Sequence, residues 1–201
     1  MTETISPRLP PLVTLGDPRL ARPSAAVPLE EIPTAEFQAR LKTLAGAMAA
    51  YEGIGIAAPQ LGWFERFFLM TEETGEDEDA QPREPLAWIN PEIVSFSPMC
   101  CWAWEGCLSV PGLLGWIRRP ATVGVRGYDA RGTAIGVEYT GWAARVFQHE
   151  FDHLDGMLFP YRAADTRHLV TVEALDSRED WPGDWPAPGA RDTPQGTLLM
   201  E

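Results

Sequence analysis

The chain has 201 residues, 45% of them hydrophobic, a length that suits one compact domain with a sizeable core. Its formal net charge of −13 argues against direct nucleic-acid readout, because phosphates would be repelled at long range. No run approaches the roughly 18 uninterrupted apolar residues of a membrane-spanning helix, and the proline-rich start lacks a signal-peptide pattern, so we expect a cytoplasmic protein with no membrane partner.

The first predicted elements are an N-terminal arm and a helix. Residues up to about Pro33 are rich in proline, and their apolar side chains predict an arm that packs against a core. Those side chains are Leu9, Leu12, Val13 and Leu15. Thr34 can then cap a helix that ends near Gly53 and carries one apolar stripe at helical spacing. The stripe consists of Phe37, Leu41, Leu44 and Met48.

The middle of the chain predicts strands. Short apolar runs broken by Gly and Pro indicate a mostly antiparallel sheet structure. The runs span residues 67–70, 87–89, 93–96, 123–125 and 135–139. Residues 129–132 have the composition of a hairpin turn, and the acidic run at 72–79 predicts a solvated loop.

The last part of the chain predicts a second helix and a tail. The helix begins near Thr140, continues through Leu154 and is stopped by Gly156. Beyond Asp176 the content of Pro, Gly and Asp argues against regular structure. We therefore expect a single domain over residues 1–175 and a tail over residues 176–201.

The second predicted helix carries the pattern H-E-x-x-H. His149 and His153 are one turn apart, so both imidazoles lie on the same face and can share one cation. A divalent metal there would acidify a water molecule, and Glu150 could take its proton as general base. The chemistry implied is hydrolysis, but a catalytic site of this kind needs a third protein ligand.

Three residues are candidates for that third ligand. Cys107 is one, because three cysteines make a poor disulfide framework and predict a reduced compartment. Glu173 stands about where a thermolysin-like protease places its glutamate, and His168 is the third candidate. The metallopeptidase alternative is weakened because no asparagine precedes Glu173 and no second lobe exists to form a peptide cleft. The residues alone leave the ligand open.

Three segments resemble the signature motifs of the peptide deformylases. They are GIGIAAPQ at 53–60, EGCLS at 105–109 and QHEFDHLDG at 148–156, and they occur in the family order. The resemblance implies an α+β fold with mixed, mainly antiparallel sheets around a central helix that carries H-E-x-x-H. It also implies a metal-dependent hydrolase that removes the formyl group from the N-terminal formyl-methionine of nascent polypeptides and releases formate.

The resemblance assigns roles to the motif residues. The metal ligands it implies are Cys107, His149 and His153. They would hold one divalent ion, with Fe²⁺ favoured in the cell and Zn²⁺, Ni²⁺ or Co²⁺ replacing it in purified protein. Glu150 would move protons, and the Gln60 amide with the Leu108 backbone N–H would stabilise the oxyanion. A non-catalytic relative that kept the fold would be expected to lose Glu150 or a ligand, and none is lost.

A further set of residues is expected in substrate binding. The set consists of Gly53, Ile54, Gly55, Glu105, Gly106, Arg119, Trp142 and Val146. Residues without a Cβ let an extended substrate backbone approach, and the apolar members would surround the methionine side chain. Glu105 is also expected to brace the cysteine segment. A transient ribosome contact is a further expectation, although the tail stands where some members have a basic docking helix.

Overall fold

The computed structural model describes residues 11–72 and 84–201. Its helices are α1 Ala35–Ala50, α2 Gly141–Leu154 and α3 Val172–Asp176. Its strands are β1 Gly55–Ala57, β2 Phe67–Met70, β3 Leu86–Phe96, β4 Cys100–Cys107, β5 Val110–Pro120, β6 Thr122–Tyr128, β7 Ala134–Thr140, β8 Leu169–Thr171 and β9 Leu199–Met200. Short 3₁₀ turns lie at Pro18–Ala21, Leu29–Glu31, Ala58–Leu61, Phe159–Arg162, Thr166–His168 and Arg178–Asp180.

The strands form two sheets. One has the order β1-β2-β3-β6-β7 and the other the order β8-β5-β4-β9. Every strand pair in the described residues is antiparallel, and one isolated parallel bridge joins Ala25 to Glu65. This confirms the predicted α+β class with mainly antiparallel sheets.

The first helix matches its prediction closely. The Thr34 side chain accepts a hydrogen bond from the Phe37 backbone N–H at 3.3 Å, which caps the N-terminus. The four predicted stripe residues are all buried, and they pack with Ile56 and Phe67 in one core cluster. The helix ends at Ala50, and the backbone N–H of Gly53 returns to the Met48 carbonyl at 2.9 Å.

The N-terminal arm agrees with its prediction only in part. Val13 is buried and Leu12 packs against the core, whereas Leu15 is 43% exposed and is not an anchor. Leu9 and residues 73–79 of the predicted acidic loop lie outside the described residues. Glu72 is half-buried, and its carboxylate accepts a hydrogen bond from the Tyr139 hydroxyl.

The sheets correct the strand prediction in two places. The runs 87–89 and 93–96 belong to one strand, β3, which has a bulge after Ile89. At this bulge Asn90 has φ 47°, and its side-chain amide accepts from the Val27 backbone N–H and donates to the Val27 carbonyl. The prediction also omits β4 and β5, whose Cys, Trp, Gly and Pro content gives no alternating apolar pattern. The 129–132 turn is confirmed: the Asp129 carboxylate accepts from the backbone N–H of Arg131 and of Thr133, each at 2.8 Å.

Helix α2 contacts strands of both sheets, β1, β2, β6 and β7 in the first and β5 in the second. Its Phe147 ring meets Phe68 and Trp88 edge-on, with centroids 5.1 Å away in each case. Gly156 ends the segment at φ 74°, where a Cβ would lie 2.7 Å from the Ala21 backbone, so glycine is required. The helix therefore has a fixed place against both sheets.

The tail has more structure than its composition predicts. It contains a 3₁₀ turn and the strand β9, which pairs with β4. The expectation of no regular structure there is wrong, because pairing with the distant strand β4 stabilises a strand that the local sequence does not favour. The division into a domain over 1–175 and a tail over 176–201 stays a prediction. Within the described ranges, no helix is both long and apolar enough to cross a membrane.

Candidate metal centre

Three donor atoms converge where the end of β4 meets α2. The Cys107 sulfur and one ring nitrogen from each of His149 and His153 all lie within 4.8 Å of one another. The Cys107 Sγ is 3.3 Å from the His153 Nε2. Bond lengths of about 2.0–2.3 Å to a tetrahedral cation separate its donors by about 3.5 Å. The group is therefore sized for one metal ion.

The two imidazoles are prepared differently for a metal. The His149 Nδ1 lies 3.1 Å from the Glu105 carboxylate, so its Nδ1–H can donate to Glu105 and leave the Nε2 lone pair for a cation. Burial works to lower the pKa of His149, but Cys107 and Glu105 raise that pKa well above its usual value in metal-free protein, so a metal would bind Nε2 by displacing a proton. Burial, and then the charges of His149 and Arg119, hold the pKa of His153 well below its usual value, so this ring is neutral.

A buried ionic network lies behind the ligands. The Glu105 carboxylate accepts from Arg119 Nε at 2.6 Å and also pairs with Arg145. Arg119 Nη1 in turn donates to Asp152 Oδ2 at 2.8 Å. Burial is the largest single influence on the pKa of Glu105 and acts to raise it, but Arg119, His149 and Arg145 together hold that pKa well below the usual range. An ionised Glu105 therefore orients His149, which is the supporting contact that metal-bound histidines commonly have.

Glu150 occupies a different environment from Glu105. Its side chain is buried, and its Oε2 has no hydrogen-bond partner among the described residues. Burial raises the pKa of Glu150 to about 7, against the lowering effect of the His149 and Arg119 charges. A Cβ on Gly55 would lie 2.5 Å from Glu150 Oε1, so the carboxylate rests directly against the Gly55 backbone. A carboxyl group that titrates near neutrality can take up and release a proton at physiological pH.

Gln60 presents a fixed amide donor to the same region. Its Oε1 accepts from the Ala57 backbone N–H at 2.8 Å, which sets the orientation of the amide. Its Nε2 then lies 3.1 Å from Ser109 Oγ and 3.7 Å from Cys107 Sγ. One amide N–H therefore donates to Ser109, and the other points toward Cys107 of the metal-ligand group.

The site opens into a cavity of about 390 Å³. The predicted site residues that line it are Gly53, Ile54, Gly55, Gln60, Glu105, Gly106, Cys107, Leu108, Trp142, Val146, His149 and Glu150. His153 is buried and is not in the lining. Arg119 is not in the lining either, because its guanidinium is held between Glu105 and Asp152. The expected substrate contact of Arg119 is therefore not what the structure shows.

Sequence reasoning missed two members of the network, Arg145 and Asp152. Arg145 is almost fully buried and also donates to the Cys101 carbonyl at 2.7 Å. The available signal was helical spacing, because Arg145 stands four residues before His149 and Asp152 stands three residues after it. That spacing places the charges on faces of α2 but does not show that they are buried.

The two other candidate ligands lie elsewhere. Glu173 is exposed on α3. His168 is buried, and its ring meets the edge of Trp102 at a centroid distance of 5.6 Å. Among the residues at 11–72 and 84–201, neither joins the group formed by Cys107 and the two histidines of α2. The structure therefore gives no support to the metallopeptidase alternative.

Comparisons with known proteins agree with this geometry. A model of the family "Polypeptide deformylase" matches residues 9–168. Peptide deformylase 2 of Nostoc sp. is 38% identical over 170 residues, which cover 84% of this chain and 94% of the relative. Peptide deformylase 1 of Bordetella pertussis is 40% identical over 167 residues, with 82% and 93% covered. The matched region contains all three donor residues.

Solved structures give the same result. The crystal structure of peptide deformylase from Thermotoga maritima superposes with a TM-score of 0.68 at 36% identity, covering 77% of this chain and 97% of that one. The Met-Ala-Ser-bound class I type b peptide deformylase of Acinetobacter baumannii superposes with a TM-score of 0.70 at 32% identity, covering 76% and 96%.

Proposed function

The chain belongs to the polypeptide deformylase family, and we propose that Cys107, His149 and His153 hold the divalent metal on which this family's reaction depends. As a peptide deformylase, it removes the formyl group from the N-terminal formyl-methionine of nascent polypeptides and releases formate. The observation that carries the ligand set is the convergence of the three donor atoms within 4.8 Å.

The donor set also bears on which metal is bound. A divalent metal held by these three residues would supply Lewis acidity and would lower the pKa of water, so that hydroxide is available near neutral pH. A thiolate with two imidazoles accepts zinc, nickel, cobalt or ferrous iron, and we propose ferrous iron in the cell, as the family resemblance implies. Glu105 supports any of these metals by fixing the His149 tautomer.

Glu150 is the proposed acid–base residue. It takes a proton from the attacking water and passes it to the nitrogen that leaves as the free N-terminus. Three features support this role: the side chain is buried, one carboxylate oxygen has no partner among the described residues, and burial raises the pKa to about 7. Such a group is ionised often enough to accept a proton and basic enough to hold it.

Gln60 and Leu108 are the proposed oxyanion donors. The Gln60 amide is fixed by Ala57 and Ser109 and directs one N–H toward Cys107, while Leu108 follows Cys107 in the cavity wall. Donors that are in place before the reaction stabilise the developing negative charge without reorganisation.

The remaining cavity residues would hold the formyl-methionyl peptide. The three glycines present backbone to the cavity, and an apolar pocket suits the methionine side chain. The residues proposed for these contacts are Gly53, Gly55 and Gly106 for the backbone and Ile54, Trp142 and Val146 for the side chain. We propose that Glu105 and Arg119 position the metal ligands instead of contacting substrate, because their charges are committed to one another.

Location and partners follow from the substrate. Nascent formylated chains emerge during protein synthesis, so we propose a cytoplasmic enzyme with a transient ribosome contact. Cosedimentation with translating ribosomes tests the contact, and its failure would leave the catalytic proposal unaffected.

The deciding experiment measures formate release by protein purified without oxygen. We expect about one metal per chain and formate from formyl-Met-Ala-Ser, with no cleavage of an unblocked peptide. Glu150→Gln keeps the side-chain shape and should keep the metal while losing nearly all turnover. Cleavage of the unblocked peptide without formate would instead favour a metallopeptidase, and full turnover by the variant would reject Glu150 as the acid–base residue.

A further inference from the structure

The tail, residues 176–201, lies beyond the region that the family model matches. It is nonetheless joined to the sheet that carries Cys107, since β9 pairs with Cys101 and Trp102 of β4. The Glu201 carboxylate also accepts a hydrogen bond from the indole N–H of Trp102 at 3.2 Å. The tail is thus attached directly to the strand that ends at the metal-ligand group.

A second attachment reaches Trp104 on the same strand. The Trp104 indole N–H donates to the backbone carbonyl of Ala190 at 3.0 Å, and this bond is buried. The ring of Trp181, also in the tail, lies 6.2 Å from the Trp104 ring, while Trp116 lies 5.3 Å from it. Tail side chains therefore form part of the apolar cluster that surrounds Trp104.

The same cluster forms a wall of the substrate cavity. Trp104 and Leu114 belong to the cluster, and both line the cavity. The next two residues of β4, Glu105 and Gly106, line it as well. Without Ala190 the buried indole N–H of Trp104 would have no acceptor, and a buried donor left without a partner is costly. The ring would then leave its present position, and the wall would change shape.

We propose that the tail is a structural part of the substrate site, in which it fixes Trp104 as a specificity-determining wall for the formylated peptide. This rests on the proposed function, because the ligand of the cavity is taken to be that peptide. Trp104 is only 2% exposed, so it acts as the buried backing of the cavity wall, and Trp181 and Ala190 act through it as positioning residues. Loss of the tail contact weakens peptide binding and leaves the chemistry at the metal intact.

The test compares point variants of the full metal-loaded chain. Trp181→Ala removes a tail contact, Trp104→Phe removes only the indole N–H and part of the ring, and Trp185→Ala is the control because Trp185 is 38% exposed and outside the cluster. We expect the first two to raise KM for formyl-Met-Ala-Ser by about fivefold with kcat nearly unchanged. The dissociation constant of the product Met-Ala-Ser should rise to a similar extent, and Trp185→Ala should match the parent.

The outcomes separate two failures. A folded Trp181→Ala variant with lower Tm but parental KM and parental Met-Ala-Ser binding would show that the tail only stabilises the fold, which overturns the inference. Where Trp181→Ala does not fold, Trp104→Phe decides by the same two readouts. Absence of formate from the parent protein would instead reject the proposed function itself.

Discussion

Gly55 should tolerate no side chain, because the Glu150 carboxylate occupies the space into which a Cβ would project. A Cβ on Gly55 would lie 2.5 Å from Oε1, 2.8 Å from Cδ and 2.9 Å from Cγ of Glu150. Carbon atoms at optimal separation are about 3.5–4.0 Å apart, so the carboxyl group would have to move by about 1 Å. The backbone of Gly55 is in ordinary strand conformation, so alanine adds a clash without backbone strain.

A displacement of about 1 Å in a catalytic group can cost about 100-fold in rate. We therefore expect Gly55→Ala to lower kcat for formate release by about 100-fold. The metal content should be unchanged, because the clash moves Glu150 and not the thiol or the imidazoles. Steady-state formate release from formyl-Met-Ala-Ser, metal analysis and a thermal unfolding curve give the three quantities required.

Gly136 supplies the matched control, since a Cβ there would meet nothing closer than 3.4 Å. Gly136→Ala in β7 should keep the parental kcat. If Gly55→Ala were folded, metal-loaded and as fast as the parent, the position of the Glu150 carboxylate against this glycine would have no part in the reaction.

Three further predictions concern stability and metal binding. In metal-free protein, burial raises the pKa of Glu150 from 4.5 to about 7, so the folded state binds more protons than the unfolded state between these values and stability falls as pH rises through them. In urea unfolding, Glu150→Gln should therefore be more stable than the parent by about 3 kcal/mol at pH 8, and by less at pH 5. An equal difference in unfolding free energy at the two pH values would contradict the raised pKa of Glu150. Arg119→Ala should lower the free energy of unfolding by about 3–5 kcal/mol, because it removes the partner of two buried carboxylates. KM should be unchanged, and a raised KM at parental stability would show that Arg119 contacts the substrate after all. Cys107→Ser should lose the metal and Glu173→Ala should retain it, as metal analysis will show, and the reverse would favour a metallopeptidase.

The helices could be predicted because their signals are local. Thr34 caps α1 through its own side chain, and the apolar stripe repeats within a few turns. The placing of His149 and His153 on one face of α2 follows from helix geometry alone. Convergence with Cys107 is different, because that residue comes from another strand, and only the family resemblance connected it to the histidines beforehand.

The second sheet was harder to predict because its stability comes from distant partners. β4 and β5 pair along most of their length, yet β4 is rich in Cys and Trp and β5 contains Pro111 and Gly115, so neither shows the alternation of a half-buried strand. The tail is a second example, because its Pro- and Gly-rich segment is stabilised by the packing of Trp181 and by the pairing of β9 with β4.

The roles of the charged residues could not be predicted from composition. Arg119 and Glu105 could each have faced solvent or substrate, and the fold alone decides that they pair in the interior. Arg145 has the same property, because a cation four positions before a metal ligand is equally compatible with an exposed helix face. Burial is a property of the assembled sheets and helix, which no local pattern encodes.

Zinc-loaded protein offers the most direct test of the metal centre, through X-ray absorption at the zinc edge. We expect one sulfur at about 2.3 Å and two imidazole nitrogens at about 2.0–2.1 Å, with the sulfur signal lost in Cys107→Ser. A parental spectrum with only nitrogen and oxygen around the metal would contradict this ligand set.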